Sequence, residues 1–186
     1  MRGWRASRAS DLLRAQMGSV PQLNSGGRLL TAHVCAFRGM GTLFDPRDLR
    51  QILERLDRLA ENARPQWGRF TASQMVCHVT TGVGQGLGEI DLGPPRGPLT
   101  HWPLNWLLIH VVPFPRGASA APEMLARAPT TWAQDVANLR SIIERFGARG
   151  PAAEWPASRV FGRISGRSWG VLQYKHLDFH LRQFGL

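Results

Sequence analysis

Leu49, Ile52, Leu53, Leu56 and Leu59 recur at three- and four-residue intervals. That spacing puts them on one stripe of an amphipathic helix. Asp45-Pro46 stand just ahead of the stripe. Asp is a good N-cap and Pro suits the first helical position, so the pattern predicts a helix over 46–62. A second stripe holds Met75, Val76, Val79, Val83 and Leu87, opened by Thr71-Ala72-Ser73-Gln74. The spacing of Thr71 and Gln74 is that of a capping box, and the predicted helix is 72–90. His78, Thr81, Gln85 and Glu89 form a polar stripe beside it. Gln85 and Glu89 are most simply solvated, although a stripe beside a His also allows an inward polar pocket. Glycines at 82, 84, 86 and 88 weaken the second half of this helix, each by up to about 1 kcal/mol relative to Ala. A third stripe, Trp132, Val136, Leu139, Ile142, Ile143 and Phe146, predicts a helix over 131–146 with Gly147 as its stop. A fourth, Trp169, Leu172, Leu177, Leu181 and Phe184, predicts a helix over 166–184 capped by Ser165. Trp102 to Val112 is a candidate short apolar helix stopped by Pro113. Trp67, Trp102, Trp106, Trp132 and Trp169 are expected in the core or a pocket wall. No segment alternates convincingly with period two. The fold class is therefore all-α, an up-down four-helix bundle, with long connecting loops of the kind that carry sites.

A chain of 186 residues fits one domain. Residues 1–39 are rich in Arg, Ser, Ala and Gly and lack sustained periodicity. An Arg- and Ser-rich, acid-poor leader fits a targeting segment, but the long apolar stretch of a secretory signal is missing. Met40 would serve equally well as a start. The expectation is a disordered or misassigned extension over 1–39 and a folded unit over 40–186. The net charge of +10 looks at first like a nucleic-acid signature. Half of it lies in the extension, which holds six Arg and one acid. Only one of the 23 basic residues is a lysine, Lys175, and no block of five like charges follows the extension. A solvated Arg-rich surface is the expectation, with nucleic acid an unlikely partner. The most apolar run, Leu104 to Phe114, is far shorter than the roughly 20 residues of a membrane span, so no membrane partner is expected. Cys35 and Cys77 cannot build a disulfide framework, which suits a cytoplasmic protein.

The chemistry concentrates near the C-terminus. His176 and His180 are four apart in a predicted helix, so their Cβ atoms lie roughly 5–6 Å apart on one face. Two imidazoles so placed can reach one metal ion. His78 sits on another predicted helix. Three imidazoles with an open position make a catalytic zinc arrangement. No Glu follows His176, so this is not a His-Glu-x-x-His protease motif. The bland alternative is a pair of surface histidines and a core histidine satisfied by a hydrogen bond. Asp178 lies about 200° round the helix from His176 and suits an ion pair with an Arg. Tyr174 and Gln173 are candidate acceptors for the second ring nitrogen of a metal-bound His. His33, His101 and His110 have no partner pattern.

The segment from Trp169 to Gly185, with Tyr174-Lys175-His176-Leu177-Asp178-Phe179-His180-Leu181-Arg182-Gln183-Phe184-Gly185 at its centre, closely resembles the closing signature of an uncharacterised branch of the DinB-like superfamily. Leu43-Phe44-Asp45, Trp67-Gly68, Gln74-Met75-Val76-Cys77-His78, Ala121-Pro122-Glu123 and Phe161-Gly162 resemble other parts of that branch. The resemblance spans roughly 40–186. It implies a DinB-like four-helix bundle holding a divalent metal, zinc or nickel, through His78, His176 and His180. Relatives often carry two consecutive histidines where this chain has Phe179-His180, and an acid where it has Ser168. The wider superfamily implies a metal-dependent hydrolase or a thiol-dependent transferase acting on a small molecule. A non-catalytic ligand-binding or dimerising bundle is the alternative, and a homodimer is an open partnership. Deleting residues 1–39 is expected to leave the thermal midpoint nearly unchanged, because they offer few periodic apolar positions to offset ordering entropy; a midpoint lowered by many degrees would place them in the fold.

Overall fold

The computed structural model describes residues 40–117, 122–125 and 127–186. The expected extension over 1–39 lies outside them. Among the described residues there are five α-helices and no strand: α1 Pro46–Asp57, α2 Ala72–Leu87, α3 Leu104–His110, α4 Trp132–Arg149 and α5 Gly166–Gln183. Short 3-10 turns lie at Pro98–Thr100 and Pro122–Leu125. No helix among these residues is long and apolar enough to cross a membrane.

The helix starts follow the sequence signals. The Asp45 carboxylate accepts from Arg47 N–H, with Pro46 opening α1. Thr71 and Gln74 form a reciprocal capping box on α2. Ser165 accepts from Ser168 N–H at the head of α5. The ends depart from expectation. α1 stops at Asp57 rather than near 62. α2 stops at Leu87, where Gly88 takes the left-handed conformation that closes a helix end. α4 runs past Gly147 to Arg149, and Gly150 ends it. Gly147 stays helical because that side must lack a side chain. A Cβ there would lie 2.9 Å from a Leu49 methyl and 3.1 Å from the Leu43 carbonyl.

α1 and α2 each pack against both α4 and α5, and α3 lies on α5. Ile52, Leu56, Val79, Val83, Leu139, Ile143, Phe146, Trp169 and Leu177 fill the common core. Trp169 is fully buried and its Nε1–H donates to the Pro156 carbonyl, which satisfies its one polar atom. Trp155 packs in tilted contact with both it and Phe146. Trp102 and Trp106 do not join this core. They stand 79% and 48% exposed around α3, since a seven-residue helix lying on α5 can bury only one side. The Arg55 guanidinium donates to the Asp178 carboxylate at 2.7 Å and to the Leu186 carbonyl. That link ties α1 to the C-terminal helix.

α2 and α5 come close because α2 has glycine at the crossing. A Cβ on Gly86 would sit 2.7 Å from the Phe146 ring and 3.2 Å from Trp169. A Cβ on Gly82 would sit 2.9 Å from the His176 ring. Glycine costs helix propensity and here permits the contact. Gly86→Ala is therefore expected to destabilise by about 1–3 kcal/mol, the range for overpacking, although propensity alone favours Ala by about 1 kcal/mol. Urea unfolding measures it; a stabilised variant would refute the close approach.

Candidate metal centre

Three elements build the site. α2 presents His78 from its second turn, on the stripe next to the core residues Met75 and Val79. α5 presents His176 and His180 one turn apart. The 3-10 turn at Pro122–Leu125 packs on α2 and brings the Met124 carbonyl to the site. The ligand nitrogens of His78, His176 and His180 all lie within 4.8 Å of one another, and together they are able to hold a metal ion. His78 Nε2 and His176 Nε2 are 3.0 Å apart. Two nitrogens on one tetrahedral zinc sit roughly 3.3 Å apart, given bonds of about 2.0–2.1 Å. The three rings meet edge-on, with centroids 4.9–5.0 Å apart.

Hydrogen bonds at the far nitrogens orient two of the rings. His78 Nδ1 faces the Met124 carbonyl at 3.3 Å. His180 Nδ1 faces Gln183 Oε1 at 3.0 Å. A carbonyl only accepts, so each Nδ1 carries the proton and each Nε2 keeps a bare lone pair toward the centre. Gln183 is itself held, since its Nε2–H donates to the Trp67 carbonyl. Gly68, at φ +79°, allows this. A Cβ there would lie 2.4 Å from Gln183 Nε2, so the glycine supplies both the left-handed turn and the space.

Burial keeps the imidazoles neutral. Desolvation lowers the His78 pKa below its ordinary value, partly offset by the Met124 carbonyl. Desolvation, then the neighbouring His78, pushes His180 down to about 4, with Gln183 opposing. Desolvation, then His78 and His180, holds His176 well below its usual range. Neutral imidazoles are the ligand form.

The histidines line one wall of a cavity of about 360 Å³. Phe70 packs over His78 and His180 at 5.2 and 5.8 Å between centroids. Phe179 packs on His180 and continues the apolar wall. None of the described residues lining the cavity is Asp, Glu, Lys or Arg.

Other sequence expectations meet mixed outcomes. Gln85, most simply read as solvated, is buried and lines the cavity; the polar stripe of α2 turns outward only at Glu89, which pairs with Arg145. The acceptors at hydrogen-bond distance are Gln183 for His180 and a backbone carbonyl for His78; neither Tyr174 nor Gln173 makes a hydrogen bond to a histidine among the described residues. The i, i+3 spacing of His180 and Gln183 is the signal that could have found the first; nothing local announces the second. Tyr174 packs against Gly41 and lines a different cleft. Gln173 Nε2–H donates to the Gly82 carbonyl, and Gln173 Oε1 is buried without a partner among the described residues. Asp178 pairs with Arg55 and Arg182, as its helix angle implied. Among the other histidines, His110 bonds Ser168 Oγ at 3.0 Å and His101 is exposed; His33 lies outside the described residues.

No protein-family model, curated protein or solved structure matches this chain.

A depressed histidine pKa means the folded protein binds fewer protons than the unfolded chain. The metal-free protein is therefore expected to lose stability as pH falls from about 6.5, the unfolded value, through about 4, the His180 value. The stability present above pH 6.5 is fully lost below 4. The size for this group is of order 1–3 kcal/mol. Thermal melts from pH 7 to 4 in the presence of a chelator check this; His180→Gln should flatten the slope, and an unchanged slope would count against the buried neutral imidazole.

Proposed function

We propose that this chain is a DinB-like up-down four-helix bundle that binds a divalent metal, zinc or nickel, through His78, His176 and His180, and uses it on a small molecule held in the adjoining cavity. One observation carries the reading. Three imidazoles from two helices converge with two far nitrogens already given to fixed acceptors. Bare Nε2 lone pairs pointed at one another repel unless a proton or a cation lies between them. Orienting acceptors behind histidines are a regular feature of metal centres. The third ring fits the same scheme. Gln173 stands one turn before His176 on α5, and both abut Gly82. Its orphaned Oε1 is an acceptor suited to a His176 Nδ1–H. Three imidazoles do not choose between zinc and nickel by affinity alone.

A divalent ion here would polarise a substrate oxygen or lower the pKa of a bound water or thiol. The residues contribute the rest. His78, His176 and His180 hold the ion, Met124 and Gln183 fix the rings, and Phe70 and Phe179 shield them from water. Metal-dependent hydrolysis and thiol-dependent transfer are the two reaction classes that suit this set. One observation favours a second reading, a non-catalytic ligand-binding protein: among the described residues no carboxylate lines the cavity to act as a general base.

Metal analysis of protein purified without a histidine tag, followed by chelator competition, tests the site. Replacing His78, His176 or His180 singly by Asn is expected to weaken zinc binding by about 100-fold or more, beyond the 10–100-fold typical of an outer acceptor. Replacing His33, His101 or His110 should leave it within about twofold. Full metal occupancy after His176 and His180 are replaced together would end the proposal.

A further inference from the structure

His78 and Gln85 are seven residues apart on α2, two full turns, so they project on the same side roughly 10 Å apart along the axis. Both line the same cavity. Gln85 is only 8% exposed. Its backbone carbonyl accepts from Gly88 N–H, while its side-chain amide has no hydrogen-bond partner among the described residues. An amide is both donor and acceptor, and this one lines the cavity with both capacities left free by the described residues. Glu89, past the end of α2, reaches solvent and pairs with Arg145.

The rest of the lining is mostly apolar, with Ser158 and Gln173 as its other uncharged polar side chains. Leu99, Leu108, Phe114, Val160 and Leu172 form its sides. Gly82, lying between His78 and Gln85, contributes no side chain. With no charged side chain on the described lining, an ionised group at the Gln85 end would lose its hydration without compensation. A neutral group there loses little.

We propose that Gln85 is the recognition residue of a substrate subsite, and that the cavity takes an elongated small molecule whose end at Gln85 is a neutral carboxamide or similar donor–acceptor group. An apolar segment of the ligand spans the gap, and its other polar end faces the three histidines. A carboxamide pairs with the Gln85 amide through one N–H donor and one carbonyl acceptor in each direction. This assignment rests on the metal-site reading for the orientation of the ligand, but the amide subsite itself is made by α2 and the apolar walls.

The probes are linear alkyl hydroxamates of about five methylenes, which bind zinc through the hydroxamate. They end in a carboxamide, a methyl or a carboxylate, and calorimetry on the zinc-loaded protein measures each. The carboxamide probe should bind about 3- to 10-fold tighter than the methyl probe, the worth of one to two neutral hydrogen bonds. The carboxylate probe should bind weaker than both. Gln85→Leu should erase the carboxamide preference and leave zinc affinity and methyl-probe affinity unchanged. Gln85→Met, an unbranched side chain of similar length, repeats the test if the Leu variant folds poorly.

A second arm needs no metal. Hexanamide and hexanoate are compared by ligand-observed NMR on metal-free protein, where hexanamide alone should bind, and only with Gln85 present. If zinc fails to bind while hexanamide binding still depends on Gln85, the metal reading falls and the amide subsite stands. If zinc binds but the hydroxamate end groups are not distinguished, the subsite falls alone. A preference for the carboxylate, or a carboxamide preference that survives loss of Gln85, overturns the proposal outright.

Discussion

The site depends on how closely α2 and α5 approach. Two helices with ordinary side chains at a crossing keep their axes 8–10 Å apart. Gly82 and Gly86 remove the side chains that would hold α5 away. The His176 ring occupies the space a Cβ on Gly82 would need, and Trp169 and Phe146 occupy the space of one on Gly86. The glycines that weaken α2 as an isolated helix are thus what lets a histidine of α5 come within 3.0 Å of one on α2. Local propensity is given up for a tertiary contact. The lost propensity is offset by the fully buried Trp169, which packs into the opening.

Once the helices are that close, electrostatics follows. Three imidazoles are drawn away from water, which lowers the pKa of each; His78 lowers those of His180 and His176 further, and His180 adds to the effect on His176. Neutral rings must place one proton each. Met124 and Gln183 settle that placement for two of them, from a 3-10 turn and from the last turn of α5. Gln183 also anchors the α1–α2 connector through Trp67, and Gln66 N–H donates to the Gln183 carbonyl at 2.7 Å. Ring orientation is therefore tied to chain segments far apart in sequence.

The cavity beside the histidines owes its walls to irregular chain. α3 contributes Leu108 and is pinned by three links, two to α5 and one to the connector that precedes it. Lys175 donates to the carbonyls of Leu108, Ile109 and Val112 at the C-terminal end of α3, where a cation is favoured by the helix dipole. His110 bonds Ser168, and Asn105 Nδ2–H donates to the Phe161 carbonyl. The sole lysine of the chain thus serves as a structural clamp. Burial lowers its pKa. The same positioning leaves Trp102 and Trp106 outside, because the buried side of α3 is taken up by Asn105 and Ile109.

Much was legible from the chain alone. The Leu49–Leu59, Met75–Leu87, Trp132–Phe146 and Trp169–Phe184 stripes announce four helices because side-chain burial has a 3.6-residue period. The Asp45, Thr71 and Ser165 caps announce three starts because each hydroxyl or carboxylate satisfies an orphan N–H within three residues. The 176/180 pair follows from helical spacing. These are local facts, decided within a few turns. What only the tertiary structure decided is long-range. Gly147 reads as a stop by propensity, yet the helix continues, because Leu49 and Leu43 require a bare surface there. Gln85 reads as a solvated residue by polarity, yet the walls from α3, α5 and the loops close over it. The meeting of His78 with the 176/180 pair depends on the α2–α5 approach, and the Met124 carbonyl that orients it comes from a turn 46 residues away. Periodicity reports which face of a helix is apolar, whereas which faces meet, and at what distance, is settled by packing among segments that no local pattern connects.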